Sequence, residues 1–292
     1  MDKKNHCKTY GVKNEKIVAK FGGTSLANVE NIKRVCAIIK SDPRRRLVVV
    51  SAPGKRAPDD IKITDLLFEI FNLKEAGANY DKPFNEFAQR FYDIEKSFGI
   101  KTDIKETFEE FYEELVNHNV DFITSTGEYF MAKMMAAILG YEFVDLDKTH
   151  AIVFCKNGTV DLKKSATAFA PYKDKRVVIP GFYGVVSDGR RGTRVKTFSR
   201  GGSDITGAII ANLVDACVYE NWTDVDGIYD KDPNKHKDAK KFDVVSYSEV
   251  ETLARNGANV LHPDCIKFVR DKKIPIHLKN TFNPGGEGTV IK

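Results

Sequence analysis

An apolar run that breaks off into Lys20-Phe21-Gly22-Gly23-Thr24-Ser25 constrains this chain more than any other segment. Ile17-Val18-Ala19 has the character of a short buried strand. Beyond the two glycines, Val29, Ile32, Val35, Cys36 and Ile39 fall at three-and-four spacing and predict a helix. A strand passing through a glycine loop into a helix is a building unit of an α/β sheet. It is also a device for holding phosphate. Glycines let backbone N–H groups approach an anion, and the helix points its positive end at the same spot. Lys20 adds a full positive charge where a transferring phosphoryl group needs one. Gly-Gly-Thr-Ser is equally ordinary turn chemistry, so this segment alone does not choose between the two.

The rest of the chain repeats the alternation. Leu47-Val48-Val49-Val50 reads as a buried strand ending in the loop Ser51-Ala52-Pro53-Gly54, and helical periodicity resumes from Ile63 to Leu73. Residues 78 to 120 are acidic and aromatic, with Phe84, Phe87, Phe91, Tyr92, Phe108, Phe111 and Tyr112 at helical spacings. Such a stripe reads as a helix core and not as a cofactor box. A helix is expected from Ser125 to Leu139 and a strand from Glu142 to Leu146. Val177-Val178-Ile179 leads into a hairpin with Asp188-Gly189 as its turn signal. Arg200-Gly201-Gly202-Ser203-Asp204 opens a helix from Ile205 to Leu213, before a strand from Cys217 to Glu220. Strands alternating with helices predict a three-layer α/β/α sandwich with an open, mostly parallel central sheet. Ligands of such sheets sit outside the carboxyl ends of the strands, where all these glycine loops fall.

Composition narrows the function classes. The chain has 292 residues, 42% hydrophobic and 30% charged, which fits one or two globular domains. No apolar run approaches the roughly 20 residues that span a bilayer. Residues 1 to 15 are polar and lysine-rich, with no apolar h-region, and are expected to form a disordered extension. Cys7, Cys36, Cys155, Cys217 and Cys265 lack Cys-x-x-Cys spacing and read as reduced thiols of a cytoplasmic protein. The net charge of +5 is mild, and neither Arg44-Arg45-Arg46 nor the lysines near 235 to 241 interleave with aromatics. A nucleic-acid role is not expected.

Taken together, Lys20-Phe21-Gly22-Gly23-Thr24-Ser25, Arg200-Gly201-Gly202-Ser203-Asp204 and Asn221-Trp222-Thr223-Asp224-Val225-Asp226-Gly227-Ile228-Tyr229 closely resemble the motifs of the aspartate kinases within the amino-acid-kinase family. The resemblance runs from about Lys16 to the C-terminus, in the family's order and nearly its spacing. It implies one catalytic unit over residues 16–292. An N-terminal lobe of about 16–175 would bind aspartate, and a C-terminal lobe of about 176–292 would bind nucleotide.

The resemblance also implies roles. Lys20 and Asp204 would be catalytic, the lysine on the phosphates and the aspartate orienting it, although Asp204 at a helix start is also an ordinary cap. Ser51, Thr64, Glu128, Arg200, Gly201, Gly202 and Ser203 would form the aspartate pocket. Arg200 has the fork geometry for the α-carboxylate, and Glu128 would receive the α-ammonium. In isolation Glu128 is simply an exposed helix carboxylate. Lys20, Gly22, Gly23, Ser25, Thr223, Asp224, Tyr229 and Asp232 would hold ATP, and Asp226 beside Gly227 reads as a turn-former. Mg²⁺ would be held mainly by the ATP phosphates. His262, between Leu261 and Pro263, reads as a packed or capping histidine.

Two departures stand out. Asn234 and Asn259 occupy places where some family members carry an arginine and a lysine, so Lys231 or Lys235 must substitute or the nucleotide is held weakly. Aspartate kinases usually continue into paired ACT domains, and this chain stops at Lys292, as a piece cut at the domain junction or a natural short form. The expected activity is phosphoryl transfer from MgATP to the side-chain carboxylate of L-aspartate, by a homodimer. The alternatives are a glutamate or acetylglutamate kinase on the same fold, or a weakened module that binds nucleotide or amino acid.

Overall fold

The chain begins its ordered core with β1 (Ile17–Phe21), followed by α1 (Val29–Lys40), β2 (Arg45–Val50), α2 (Ile63–Glu75), α3 (Asp81–Phe98), α4 (Ile104–Glu114) and α5 (Val120–Leu139). Next come β3 (Glu142–Phe143), α6 (Leu146–Thr149), β4 (Val153–Phe154), α7 (Leu162–Phe169), β5 (Val177–Pro180), β6 (Tyr183–Ser187) and β7 (Thr193–Thr197). The last part contributes α8 (Gly202–Leu213), β8 (Val218–Thr223), β9 (Val244–Val245), α9 (Tyr247–Arg255), α10 (Ile266–Val269), β10 (Ile276–Asn280) and β11 (Thr289–Ile291). This computed structural model describes residues 15–187, 192–198, 201–231, 235–255 and 261–292. The expected N-terminal extension up to residue 14 and the turn Asp188-Gly189 lie outside the described residues.

One eight-stranded sheet runs β3-β5-β2-β1-β8-β10-β11-β9. Its neighbours are parallel except β10 and β11, so the expected open, mostly parallel sheet is present. The continuous apolar run of β2 has its reason in this topology, because the strand is covered on both faces. Val48 and Val50 join the core under α1 to α5, and Leu47 and Val49 join the opposite core under α8 and α10. The first core holds the aromatic stripe, where Phe87, Phe91 and Phe108 are fully buried and Phe108 stacks on Phe130 with ring centroids 3.8 Å apart. A second sheet, β4-β6-β7, carries the expected hairpin as antiparallel β6 and β7.

Local chemistry moves several boundaries. Thr24 and Ser25 open a single 3-10 turn, and α1 starts only after Asn28, whose Oδ1 accepts the Asn31 N–H at 2.9 Å. Likewise α5 begins at Val120, five residues before the expected start, because Asn119 caps it through the Phe122 N–H at 3.0 Å. The strand expected over Glu142 to Leu146 stops at Phe143, since Asp145 caps the short α6. Strand β8 runs three residues further than expected, to Thr223, and carries Asn221 and Trp222 into the sheet. Cys36, Cys155 and Cys265 are free thiols, whereas Cys217 is disulfide-bonded, which corrects the reading of reduced thiols throughout.

Candidate active site

Three loops meet at the carboxyl ends of β1, β2 and β8. Gly22 donates its N–H to the Trp222 carbonyl at 3.1 Å, and Gly54 donates to the Gly23 carbonyl at 2.9 Å. The second contact needs two glycines. A Cβ on Gly54 would stand 2.8 Å from the Gly23 carbonyl carbon, and one on Gly23 would stand 2.9 Å from the Ala52 oxygen. The loop after β1 therefore lies backbone against backbone on the loop after β2.

Lys20 stands in the middle of this meeting point and is 7% exposed. Its Nζ lies 2.7 Å from Asp204 Oδ1, on the first turn of α8. That helix starts at Gly201, whose φ of 76° suits glycine and whose Cα faces the ring of His262. Asp204 makes no capping bond to its own helix. Its carboxylate instead receives Lys20 and the Asn221 amide at 3.0 Å on Oδ1, and the His262 N–H at 3.3 Å on Oδ2. Both sides of the ion pair are mostly shielded from water, so the attraction is screened far less than on a surface.

Glu128 projects from α5 beside the same loops. Gly127 sets its place, because a Cβ there would stand 2.8 Å from Ala52 Cβ and 3.0 Å from Ile63 Cγ2. The Glu128 side chain is buried and Oε2 has no hydrogen-bond partner. Burial pushes its carboxyl up to about 8, against the opposing pull of the Ala52 N–H and of Lys20. The reading of an exposed helix carboxylate is therefore set aside. A buried acidic oxygen without a donor is suited to receive a cationic group.

Ser51 and Thr64 are half-buried, Ser51 at the end of β2 with its N–H on the Phe21 carbonyl at 3.1 Å, Thr64 in the first turn of α2. Ser203 is buried against Gly181, and Gly202 against Phe182 and Phe198. Ser25 is fully buried, and its hydroxyl lies 2.7 Å from that of Thr281, so it braces the loop to the end of β10. Thr223 is half-buried and donates to Asp224 at 3.2 Å, Asp224 is exposed, and Tyr229 is half-buried. Asp226 accepts Asn280 at 3.0 Å and Asn283 at 3.1 Å, which ties its loop to the end of β10. His262 caps the turn Pro263–Cys265 through the Asp264 N–H at 3.3 Å, in keeping with a packed or capping histidine.

Arg200, Asp232, Asn234 and Asn259 lie outside the described residues. Of the two lysines considered as substitutes for the missing charges, Lys231 is paired with Asp238 at 2.5 Å. Among the described residues no three His, Cys, Asp or Glu side chains gather as a metal cage. No described helix is long and apolar enough to cross a membrane.

Two features had no role in the sequence reading. Asn221 opens the third motif without a role of its own there, yet it touches both members of the Lys20–Asp204 pair. Arg90, 4% exposed on α3, holds the loop after β2 through the Gly54 carbonyl at 3.2 Å and Asp60 Oδ1 at 2.8 Å. Asp60 is held well below the usual carboxylate range by Arg56 and, on its other flank, Arg90. The only sequence signal for Arg90 was a cation inside the aromatic stripe of a helix.

Aspartokinase 3 of Bacillus subtilis is 33% identical over 289 residues, covering 94% of this chain and 63% of that protein. The crystal structure of Clostridium acetobutylicum aspartate kinase superposes with a TM-score of 0.86 at 40% identity, covering 94% of this chain and 62% of that one. E. coli aspartokinase III in complex with aspartate and ADP gives a TM-score of 0.81 at 27% identity, covering 94% and 64%. The chain thus spans a little under two thirds of the length of these relatives. A sequence profile of the amino acid kinase family matches residues 15–280, and the chain belongs to that family.

Proposed function

We propose that this chain transfers the γ-phosphoryl group of ATP to the side-chain carboxylate of L-aspartate, giving 4-phospho-L-aspartate. The observation that carries the reading is a buried cation and a buried carboxyl brought to one loop junction. Lys20 is a buried cation fixed by Asp204, and Glu128 is a buried carboxyl with a vacant acceptor oxygen. An acyl phosphate forms when a carboxylate oxygen attacks the γ-phosphorus and ADP leaves. Both reactants are anionic, so the protein's task is to offset repulsion and hold the groups in line. Lys20 and the Gly23 side of the loop supply the positive potential for the phosphates, the Gly22 N–H being spent on the Trp222 carbonyl. Glu128 receives the α-ammonium, Arg200 the α-carboxylate, and Ser51, Thr64 and Ser203 line the space between. The aspartate and ADP named for the E. coli relative support both substrates.

Mg²⁺ would be held as part of the nucleotide complex, mainly by the phosphate oxygens. When bound it neutralises phosphate charge. A carboxylate nucleophile with a side-chain pKa of about 4 needs no general base at neutral pH. In this reading the reaction is the first step of lysine, threonine, methionine and diaminopimelate synthesis, run in the cytoplasm by a homodimer.

Trapping the acyl phosphate with hydroxylamine tests the reading. With MgATP, hydroxamate is expected from L-aspartate and not from L-glutamate or N-acetyl-L-glutamate. Signal from another acceptor would reassign the substrate, and silence in a folded, ATP-binding protein would leave a binding module. Arg200→Lys is expected to raise the KM for aspartate by about tenfold with little change in kcat, because lysine cannot make two parallel bonds to a carboxylate. An unchanged KM would mean that the α-carboxylate is held elsewhere.

A further inference from the structure

We propose that Asn221 is a positioning residue for the phosphoryl-transfer lysine, acting as the clip that fixes Asp204 to Lys20; this rests on the kinase reading above. Asn221 and Lys20 are direct partners across the parallel pair β8 and β1, so their side chains leave the same face of the sheet. Asp204 meets both from α8, with Oδ1 accepting the Asn221 amide at 3.0 Å and lying 2.7 Å from Lys20 Nζ. The Asn221 carbonyl oxygen faces Lys20 Nζ at 3.5 Å, a long contact. The amide orientation is forced by chemistry, since a carboxylate only accepts and an ammonium only donates. Asn221 therefore offers its donor to one partner and its acceptor to the other.

Packing alone gives no reason for an amide here. Asn221 is 2% exposed, and besides Lys20 its neighbours on the same face of the sheet are Leu278 across on β10 and Tyr219 along β8, both buried. Asparagine is a poor strand former, and a buried amide is unfavourable unless its hydrogen bonds are made. An apolar residue would fill the place equally well. What an apolar residue cannot do is hold the carboxylate. With Asn221 and the His262 N–H as donors on its two oxygens, Asp204 keeps one orientation, and Lys20 directs its remaining protons toward the Gly22 side of the loop. Without the amide, the carboxylate turns and draws the ammonium from its line.

The test is a double-mutant cycle of Asn221→Leu with Asp204→Asn, read as kcat in the hydroxamate assay. Asn221→Leu alone is expected to lower kcat by about tenfold to a hundredfold, with the KM for aspartate within about twofold. In the Asp204→Asn background the same change is expected to cost less than about threefold, because the clip no longer has its partner. Asn221→Ser serves where the leucine variant melts early. Equal fold-losses in both backgrounds would reduce Asn221 to a packing residue, and a kcat within about threefold of wild type would overturn the proposal. If the wild-type protein makes no acyl phosphate from any acceptor, the kinase reading fails separately. The same cycle is then read as MgADP affinity by calorimetry, with the same non-additivity required.

Discussion

Replacing Lys20 by alanine is expected to lower kcat by about a hundredfold or more, with the fold retained. Oriented donors that meet developing charge in a shielded site are typically worth about 3–4 kcal/mol, and each factor of ten in rate is about 1.4 kcal/mol. Lys20 is buried and held by Asp204, so it meets the phosphates without first shedding a full shell of water. The effect should fall on kcat more than on the KM for aspartate, since in the proposed reading the amino acid's own charges are met by Glu128 and Arg200. Asp204 loses its ion-pair partner in the variant, but Asn221 and the His262 N–H remain as donors. A lower melting temperature is therefore expected without loss of the folded state. Steady-state kinetics and a thermal melt on the same preparation decide the matter. Near-normal turnover in Lys20→Ala would remove this residue from the mechanism.

Much of the fold was legible because its signals are local. Leu47 to Val50 read as a buried strand from length and β-branching, and the phenylalanines of α3 and α4 read as core from their spacing. The boundaries that moved were set by single capping side chains. Asn28, Asn119 and Asp145 each fix where a helix begins, and periodicity does not register them. The site was legible in part, through glycines that only close backbone approach explains. Gly23 touching Gly54 is such a case. Its partner contacts were not legible, because they join residues far apart in sequence. Asn221 lay beyond the expected end of its strand and had no assigned role, and only the pairing of β8 with β1 sets it beside Lys20. The contact of the Ser25 hydroxyl with Thr281, at the end of β10, joins residues far apart in sequence. Arg90 reaches the loop after β2 from α3, a pairing that needs the folded helical layer.

The second large effect is expected in the pH dependence of aspartate binding. In the free protein, burial raises the Glu128 carboxyl to about 8, so at neutral pH it is mostly protonated. A protonated carboxyl cannot pair with an α-ammonium. Binding must release that proton, and each pH unit below about 8 then costs about tenfold in apparent affinity. The KM for aspartate should fall steeply as pH rises from 6 to about 8 and level off above it. Glu128→Gln has no proton to release, so its KM should be high and flat over the same range, with the gap to wild type closing toward pH 6. Stability gives an independent reading of the same group. The unfolded carboxyl loses its proton near 4.5 and the folded one near 8, so the free protein loses stability as pH rises through that window. Relative to Glu128→Gln, wild-type melting should therefore drop between these values, and saturating aspartate should restore it by giving the carboxylate its partner. A wild-type KM that stays level from pH 6 to 8 would show that Glu128 is already ionised before the substrate arrives, and the α-ammonium would need another acceptor.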